Sequence, residues 1–424
     1  DFDEAAFVVD IANGLAVEGV SLSEVAVLYR SNAQSRVLEH ALFNAAVPYR
    51  VYGGMRFFER AEVKHALAYL RLVAVPDDDG AFLRVANFPP RGIGARTLEA
   101  LQDAASERGT SLWEAARAGA ARGKAGASLA GFVALIESLR AAGAGLMLPE
   151  AVADVNERSG LNAHYRAEKD GQDRLDNLEE LVNAADSFLR EADLAVDAPI
   201  ALGDGGDGAA QGAVDPLTAF LAHAALEAGE TQAAEGRPAL QLMTVHAAKG
   251  LEFHTVFVTG LEEGLFPHEN SLSEYDGVEE ERRLMYVAVT RARRRLYLTH
   301  AQSRMLHGQV RYNIPSRFMD EIPRDQVAWL SPPRRRSHDA TDVDPAEWGA
   351  AEAPAWASRT AAVPQRGAPE APRWRIGQSV RHAKFGLGVI VDAEGRGADA
   401  RVQVNFRDGG AKWLALEYAK LEAA

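Results

Sequence analysis

Leu240-Gln241-Leu242-Met243-Thr244-Val245 is a short apolar run that gives way at once to His246-Ala247-Ala248-Lys249-Gly250-Leu251-Glu252-Phe253. A run of this length reads as a strand, and the segment from His246 onward as a narrow turn into a short helix, with Ala247 and Ala248 keeping the turn tight. Open α/β sheets bind ligands outside the carboxyl ends of their strands, so Thr244 and His246 face the rim where chemistry is expected. Thr255-Val256-Phe257-Val258-Thr259 and Arg295-Leu296-Tyr297-Leu298-Thr299 read as further strands downstream.

Upstream the same layer opens. Phe7 to Leu15 has the spacing of an amphipathic helix, and Glu24 to Arg30 is an apolar, β-branched stretch that reads as a buried strand. Ser31 is placed to cap a helix from about Gln34 to Asn44, with Val37, Leu38, Ala41 and Leu42 on one face. Tyr49-Arg50-Val51-Tyr52 comes next as a strand closed by Gly53-Gly54. Strand, helix, strand is the start of an α/β layer. From Phe57 to about Gly229 the periodicity is helical throughout, over Ala61 to Val73, Leu98 to Arg108, Leu112 to Ala118, Leu129 to Ala142, Pro149 to Ser159, Leu175 to Ala192 and Pro216 to Glu227. The expected fold class is therefore α/β: a parallel-sheet domain interrupted by an all-helical insertion of roughly 170 residues, far beyond an ordinary loop.

Asp204 to Ala210 has no apolar face and reads as a mobile loop, and the Pro-, Ala- and Arg-rich stretch from 323 to 373 as a linker. Short alternating runs after it, Ser379 to His382, Gly388 to Val391, Arg401 to Phe406 and Ala411 to Leu414, suggest a small β-barrel. The expected bounds are 1–55 and 230–322 for the α/β domain, 56–229 for the insertion, 323–373 for the linker and 374–424 for the barrel.

Composition narrows the class. Of 424 residues, 47% are hydrophobic, enough for real cores in two to four folding units. Cysteine is absent, which excludes disulfide scaffolds, thiolate zinc sites and cysteine nucleophiles, and the histidines read as scattered without metal-ligand spacing. No stretch reads as the roughly 20 apolar residues of a membrane helix, and the acidic start Asp1-Phe2-Asp3-Glu4 is unlike a signal peptide, so an intracellular, cytoplasmic protein is expected. A net charge of −14 argues against wholesale adhesion to nucleic acid but leaves room for a local basic track.

Glu280-Glu281-Arg282-Arg283-Leu284-Met285-Tyr286-Val287-Ala288-Val289-Thr290-Arg291-Ala292 reads as a helix with Leu284, Val287 and Ala288 on its apolar face, ending near Arg291 before Arg293-Arg294-Arg295. Guanidinium is always charged and grips phosphate oxygens bidentately, which suits Arg291 to a γ-phosphate reached across a cleft. Read for function, Thr244 and His246 go to DNA phosphates and Glu252 to a ribose hydroxyl. Read plainly, the first segment is turn chemistry with Lys249 and Glu252 solvated, and the second a solvated arginine-rich face. The phosphate-cradling loop of such a motor needs Gly-Lys-Ser/Thr; only Gly123-Lys124 approaches it, with Ala125 where the hydroxyl belongs. The chain thus reads as the second half of a nucleotide-driven DNA motor.

Together these segments resemble motifs V and VI of superfamily 1 DNA helicases of the UvrD/PcrA/Rep group, UvrD most of all. The likeness extends to Val27-Leu28-Tyr29-Arg30-Ser31-Asn32-Ala33-Gln34-Ser35-Arg36, Tyr52-Gly53-Gly54-Met55-Arg56-Phe57-Phe58, Arg91-Gly92-Ile93-Gly94 and Gly260-Leu261-Glu262-Glu263-Gly264-Leu265-Phe266-Pro267. The resemblance implies a second RecA-like domain (2A) carrying a helical 2B insertion. It assigns Glu252, with Gly250 beside it, to ribose and Arg291 to the γ-phosphate of ATP, whose Mg²⁺ is held mainly by a first RecA-like domain outside these residues. It places Thr244, His246 and Lys249, with Arg30 and Asn32, on single-stranded DNA. Arg91, Gly92, Ile93, Gly94 and Thr97 become a duplex-gripping hairpin, since glycines before a helix N-terminus let backbone amides approach phosphate. Leu298 to Tyr312 becomes a strand-separating pin whose tip holds His307, a smaller stacking surface than the family's aromatic. The end of the chain, with Val380-Arg381-His382-Ala383-Lys384-Phe385-Gly386-Leu387-Gly388, resembles a Tudor-like barrel and implies contact with RNA polymerase or repair proteins. The implied activity is 3′-to-5′ helicase action on single-stranded and junction DNA in repair, at the nucleoid, as a monomer or dimer. A non-catalytic adaptor remains the alternative from another class, and a nuclease-coupled relative a third; no clustered Asp, Glu and Lys site lies beyond the linker.

Overall fold

The computed structural model describes residues 1–119, 123–169, 171–191, 215–229, 237–272, 274–306, 309–330, 374–395 and 400–424. The chain divides into two compact units, Asp1–Arg317 and Phe318–Ala424.

The first unit is built on five strands, β1 (Val25–Tyr29), β2 (Tyr49–Val51), β3 (Leu240–Thr244), β4 (Phe253–Val258) and β5 (Ala292–Leu298), in the order β2-β3-β1-β4-β5. Every pairing is parallel, with Val27 opposite Leu242 on one side and Phe257 on the other. All five residues of β1 are buried, because the sheet is covered on both faces. Val25, Val27 and Tyr29 pack with Leu240, Leu242 and Phe257 under the helices Phe2–Val17 and Ser35–Asn44, which contribute Val8, Ala12, Leu15, Leu38 and Leu42. Ala26 and Leu28 point to the opposite face and are buried as well. Ser31 stands at the N-cap of the short turn Asn32–Gln34 that leads into Ser35–Asn44, and Gln34 closes a capping box on it, its Oε1 accepting from the amides of Ser31 (2.8 Å) and Arg30 (3.0 Å). Gly260, at φ +72°, lies against that side chain: a Cβ there would sit 2.2 Å from Gln34 Nε2, so only glycine fits.

Between β2 and β3 run nine helices among the described residues, all seven that periodicity indicates plus Asp79–Val85 and Leu161–Arg166. Those two are short and bury only Ala81, Phe82 and Val85 in one and Leu161 and Tyr165 in the other, whereas the equally short Leu112–Arg117 buries four residues. Ala61–Ala74 is the central helix, burying Val63, Ala66, Tyr69, Leu70, Leu72 and Val73 against Phe82, Phe132, Ile136 and Leu181. Gly123–Gly143, with 21 residues, corrects the membrane reading: it is long and apolar enough to cross a bilayer by length and composition. Its apolar character comes mainly from Leu, Ile, Val and Phe with six alanines, and Leu129, Phe132, Val133, Ile136 and Leu139 are packed in the helical core.

His65 illustrates how this core titrates. Its ring stacks on Phe88 at 3.8 Å between centroids, and Nδ1 lies 3.0 Å from the Tyr165 hydroxyl. Burial, and then the charges of Arg84, His164 and Arg174, lower its pKa from 6.5 to about 4. The unfolded chain therefore takes up the proton first, so this contribution is whole above about pH 6.5 and is lost as pH falls toward 4. In urea denaturation, wild type is expected to lose about 1–2 kcal/mol more than His65→Gln over that interval, discounted for a part-exposed ring. Parallel pH curves for the two proteins would contradict a buried neutral His65.

The helices meet the sheet domain through polar groups. Arg60 donates to Asn177 Oδ1 (2.6 Å), Ser35 Oγ (2.6 Å) and the Asn32 carbonyl (3.0 Å). Glu39, fully enclosed, accepts from Ser35 Oγ at 2.5 Å and from the Phe57 amide at 3.0 Å, and its pKa is raised by burial.

Beyond β5, β6 (Ser303–Leu306) and β7 (Gln309–Tyr312) pair as an antiparallel hairpin. His307 at its tip lies outside the described residues, as do Asp204 to Ala210 and most of the expected linker. The second unit holds β8 (Ser379–His382), β9 (Gly386–Glu394), β10 (Arg401–Phe406), β11 (Gly410–Ala415) and β12 (Leu421–Ala423), antiparallel in the order β11-β10-β9-β8-β12. Trp374, Val380, Ile390, Val402, Val404, Phe406 and Leu421 form its core. The four expected strands are present; β12 has only three residues, too few to show alternation.

Candidate functional site

Arg291 emerges just past the helix Gly277–Val289 and immediately before β5. Its Nε donates to the Val287 carbonyl (2.9 Å), Nη1 to the Leu251 carbonyl (2.9 Å) and Nη2 to Thr290 Oγ1 (3.0 Å). A guanidinium at a helix carboxyl end satisfies carbonyls that have no partner within the helix and is favoured by the helix dipole. The Arg291 carbonyl in turn accepts from the Phe253 amide at 2.9 Å. Leu251 and Phe253 flank Glu252, so both neighbours of that exposed carboxylate are bonded to Arg291. Gly250, exposed at φ +82°, turns the chain into this clamp. Three of the five guanidinium N–H groups are engaged, which holds the fork while leaving two to donate outward.

Thr244, the last residue of β3, sits at the other end of the sheet. Its Oγ1 accepts from the Ala247 amide (3.2 Å) and its carbonyl from the Ala248 amide (3.2 Å), so the expected turn chemistry is present. His246 and Lys249 are exposed there. Desolvation, then the charges of Arg30 and Lys249, hold His246 below its usual pKa, leaving a neutral imidazole beside two cations. Glu281 and Asp173 act on His246 in the opposite sense, more weakly than the two cations.

Arg30, just past β1, is less free than its expected DNA-contacting place suggests. It forms a fork on Glu281, with Nη2 to Oε1 at 2.7 Å and Nε to Oε2 at 3.0 Å. Glu281 also accepts from Ser271 Oγ (3.0 Å); burial opposes its charge, but these partners keep its pKa lowered. Arg30 thus ties β1 to the Arg291 helix. Asn32 offers its carbonyl to Arg60. On that helix the buried stripe is Glu281, Leu284, Met285 and Ala288, with Val287 only half-buried, so the expected apolar face is rotated toward Met285.

These residues divide between the two ends of the sheet. Thr244, His246 and Arg30 lie at the carboxyl ends of β3 and β1, while Glu252 and Arg291 immediately precede the amino ends of β4 and β5. The segment Val245–Glu252 runs from one end of the sheet to the other.

In the helical body, Arg91 turns inward. It donates to the carbonyls of Pro89 (3.0 Å) and Ser159 (2.5 Å), and lies over the rings of Tyr69 and Phe132 at 5.6 and 5.8 Å. Ile93 is buried, and the amides of Arg91 and Ile93 both donate to Asn87 Oδ1. Gly92 and Gly94 are exposed, at the start of the helix Ala95–Arg108, and the half-buried Thr97 donates its amide to the Gly94 carbonyl. Arg96, exposed in the first turn, is the outward cation here, and only its place one residue inside the helix could have singled it out over Arg91.

A buried ionic cluster roots the hairpin. Arg304 of β6 pairs with Glu262 (Nε to Oε2, 2.7 Å) and with Glu4 of the first helix (2.5 Å). Glu262 accepts from Asn313 (2.8 Å) and the Ala301 amide (2.7 Å), and Glu4 from Thr299 (2.6 Å). Desolvation raises the Glu4 pKa, but Arg304 and these donors outweigh it and hold it low.

The family described as the UvrD-like helicase C-terminal domain matches residues 1–122 and 136–303, and the PcrA/UvrD tudor domain matches 376–422. DNA helicase II of Escherichia coli is 45% identical over 435 residues, covering 100% of this chain and 55% of that protein. The ATP-dependent DNA helicase PcrA of Bacillus subtilis is 36% identical over 436 residues, again 100% of the chain and 55% of the relative. UvrD1 of Mycobacterium bovis is 38% identical over 427 residues, 97% of the chain and 53% of the relative. The chain belongs to the UvrD-like DNA helicase family and spans about half the length of these relatives.

Proposed function

We propose that the chain is the second motor half of an ATP-dependent helicase that moves 3′-to-5′ on single-stranded DNA and opens duplexes in DNA repair. Residues 1–55 and 230–322 form domain 2A, 56–229 the duplex-binding domain 2B, 323–373 a linker and 374–424 a barrel that takes a protein partner such as RNA polymerase. The observation that carries this reading is the Arg291 guanidinium, fastened to the carbonyl just before Glu252 with two N–H groups to spare. A cation and a sugar-binding acceptor held on one clamp fit the phosphate and ribose ends of a nucleotide. ATP supplies the phosphoryl group whose hydrolysis drives motion, and its Mg²⁺ is held mainly by the first RecA-like domain.

Within these residues, Arg291 neutralises charge developing on the terminal phosphate and Glu252 accepts from a ribose hydroxyl. At the opposite end of the sheet, His246, Lys249 and Thr244 hold the DNA backbone, and Val245–Glu252 joins the two ends, so a shift at one is felt at the other. The exposed backbone at Gly92 and Gly94, with Arg96, faces duplex phosphates; Arg91 and Ile93 brace that turn from inside.

In a protein joining this chain to its P-loop domain, Glu252→Ala is expected to raise the KM for ATP about 10–100-fold with kcat little changed, the size of a lost charged hydrogen bond. Deoxyribose analogues lacking the bonded hydroxyl impose the same penalty on wild type and none on the variant. Equal KM values for variant and wild type would remove Glu252 from the ribose.

A further inference from the structure

His40, on the helix Ser35–Asn44, meets His223 and Glu227 of the helix Pro216–Gly229 where the sheet domain touches the insertion. His223 and Glu227 are four residues apart and project from one helix face. His40 Nδ1 lies 2.7 Å from Glu227 Oε1, and His223 Nε2 lies 2.9 Å from the same oxygen. The three donor atoms fall within 4.8 Å of one another. Beside them is a cavity of about 10 Å³, room for one ion or water. The other nitrogen of His40, Nε2, lies 2.7 Å from Glu191 Oε2.

We propose that these residues form a binding site for a divalent cation of the zinc class, with His40 Nδ1, His223 Nε2 and a Glu227 oxygen as ligands. Two imidazoles and a carboxylate suit Zn²⁺ or Co²⁺ better than Mg²⁺ or Ca²⁺, which prefer all-oxygen shells. Glu191 accepts the remaining His40 N–H, as an outer carboxylate does for most metal-bound histidines. Charge balances: two neutral imidazoles, two carboxylates and M²⁺ sum to zero. Bonds of about 2.05 Å in a tetrahedral shell place ligand atoms about 3.3 Å apart; the Glu227 oxygen, at 2.7 and 2.9 Å from the two nitrogens, needs only to draw back by about half an ångström, and the nitrogens themselves already lie within 4.8 Å of each other. Water completes the shell from the cavity. The histidine spacing reads as scattered along the sequence because His40 lies 183 positions before His223 and only folding joins them.

Titration of the 424-residue chain with Co²⁺ tests the site, and with no cysteine present thiolate ligation cannot contribute. One equivalent is expected to give the intense visible bands of a four- or five-coordinate ion, displaced by Zn²⁺. His223→Ala, at a part-exposed position, is expected to abolish them with an unchanged circular dichroism spectrum. Glu191→Gln is expected to weaken binding about 10–100-fold. Co²⁺ that stays hexa-aquo at stoichiometric concentration, or bands that survive His223→Ala, would leave the cluster as an ion-paired histidine and overturn the proposal.

Discussion

Arg291→Ala, in a protein joining this chain to its P-loop domain, is expected to lower ATP turnover by about 10³–10⁵-fold, the range for loss of an arginine that stabilises phosphoryl transfer. Affinity for single-stranded DNA is expected to stay near wild type, because Thr244, His246 and Lys249, the residues proposed to hold DNA, lie beyond the carboxyl end of β3, away from Arg291. Arg291→Lys rescues little, since an ammonium cannot both bridge the Val287 and Leu251 carbonyls and present a planar fork outward. Steady-state ATPase assays and fluorescence anisotropy on a labelled oligonucleotide provide the two readouts. Turnover within tenfold of wild type would take Arg291 out of the nucleotide site.

Arg304→Ala is expected to destabilise the first unit by about 3–5 kcal/mol, the usual cost of removing one member of a buried ionic cluster. The charge left behind is the reason: Glu4 and Glu262 would remain enclosed without their common cation. Replacing all three with apolar residues of similar volume is expected to recover most of the loss. Urea unfolding of the single and triple variants measures both. A single variant within 1 kcal/mol of wild type would show that water reaches the cluster. In an unwinding assay Arg304→Ala is expected to slow strand separation more than translocation, because the hairpin loses its root.

Much of the fold is legible from the chain alone. The strands at Val25, Leu240 and Phe253 are short apolar runs, and their length, β-branched or aromatic content and flanking turn residues separate them from buried helix where periodicity cannot. The apolar stripe of the Arg291 helix is misplaced by periodicity because Glu281 reads as a solvated carboxylate until Arg30, 251 positions away, is seen to pair with it. Arg91 misleads for the opposite reason: a basic residue beside two glycines suggests phosphate, but Tyr69 and Phe132 supply rings for it to cover. The separation of Thr244 and His246 from Glu252 and Arg291 at two ends of the sheet depends on which way the chain crosses between parallel strands, and motif spacing carries no such information.

The seam between the α/β layer and its helical passenger is laced with ions and amides: Arg36 to Glu180, His40 to Glu191 and Glu227, Arg60 to Ser35 and the Asn32 carbonyl, the Phe57 amide to Glu39. Groups of this kind find water when pulled apart, whereas a greasy contact of equal area would resist parting or invite aggregation. Such a joint is expected to part at a lower cost than an apolar one, without either body unfolding, and with little dependence on salt because its pairs are mostly enclosed.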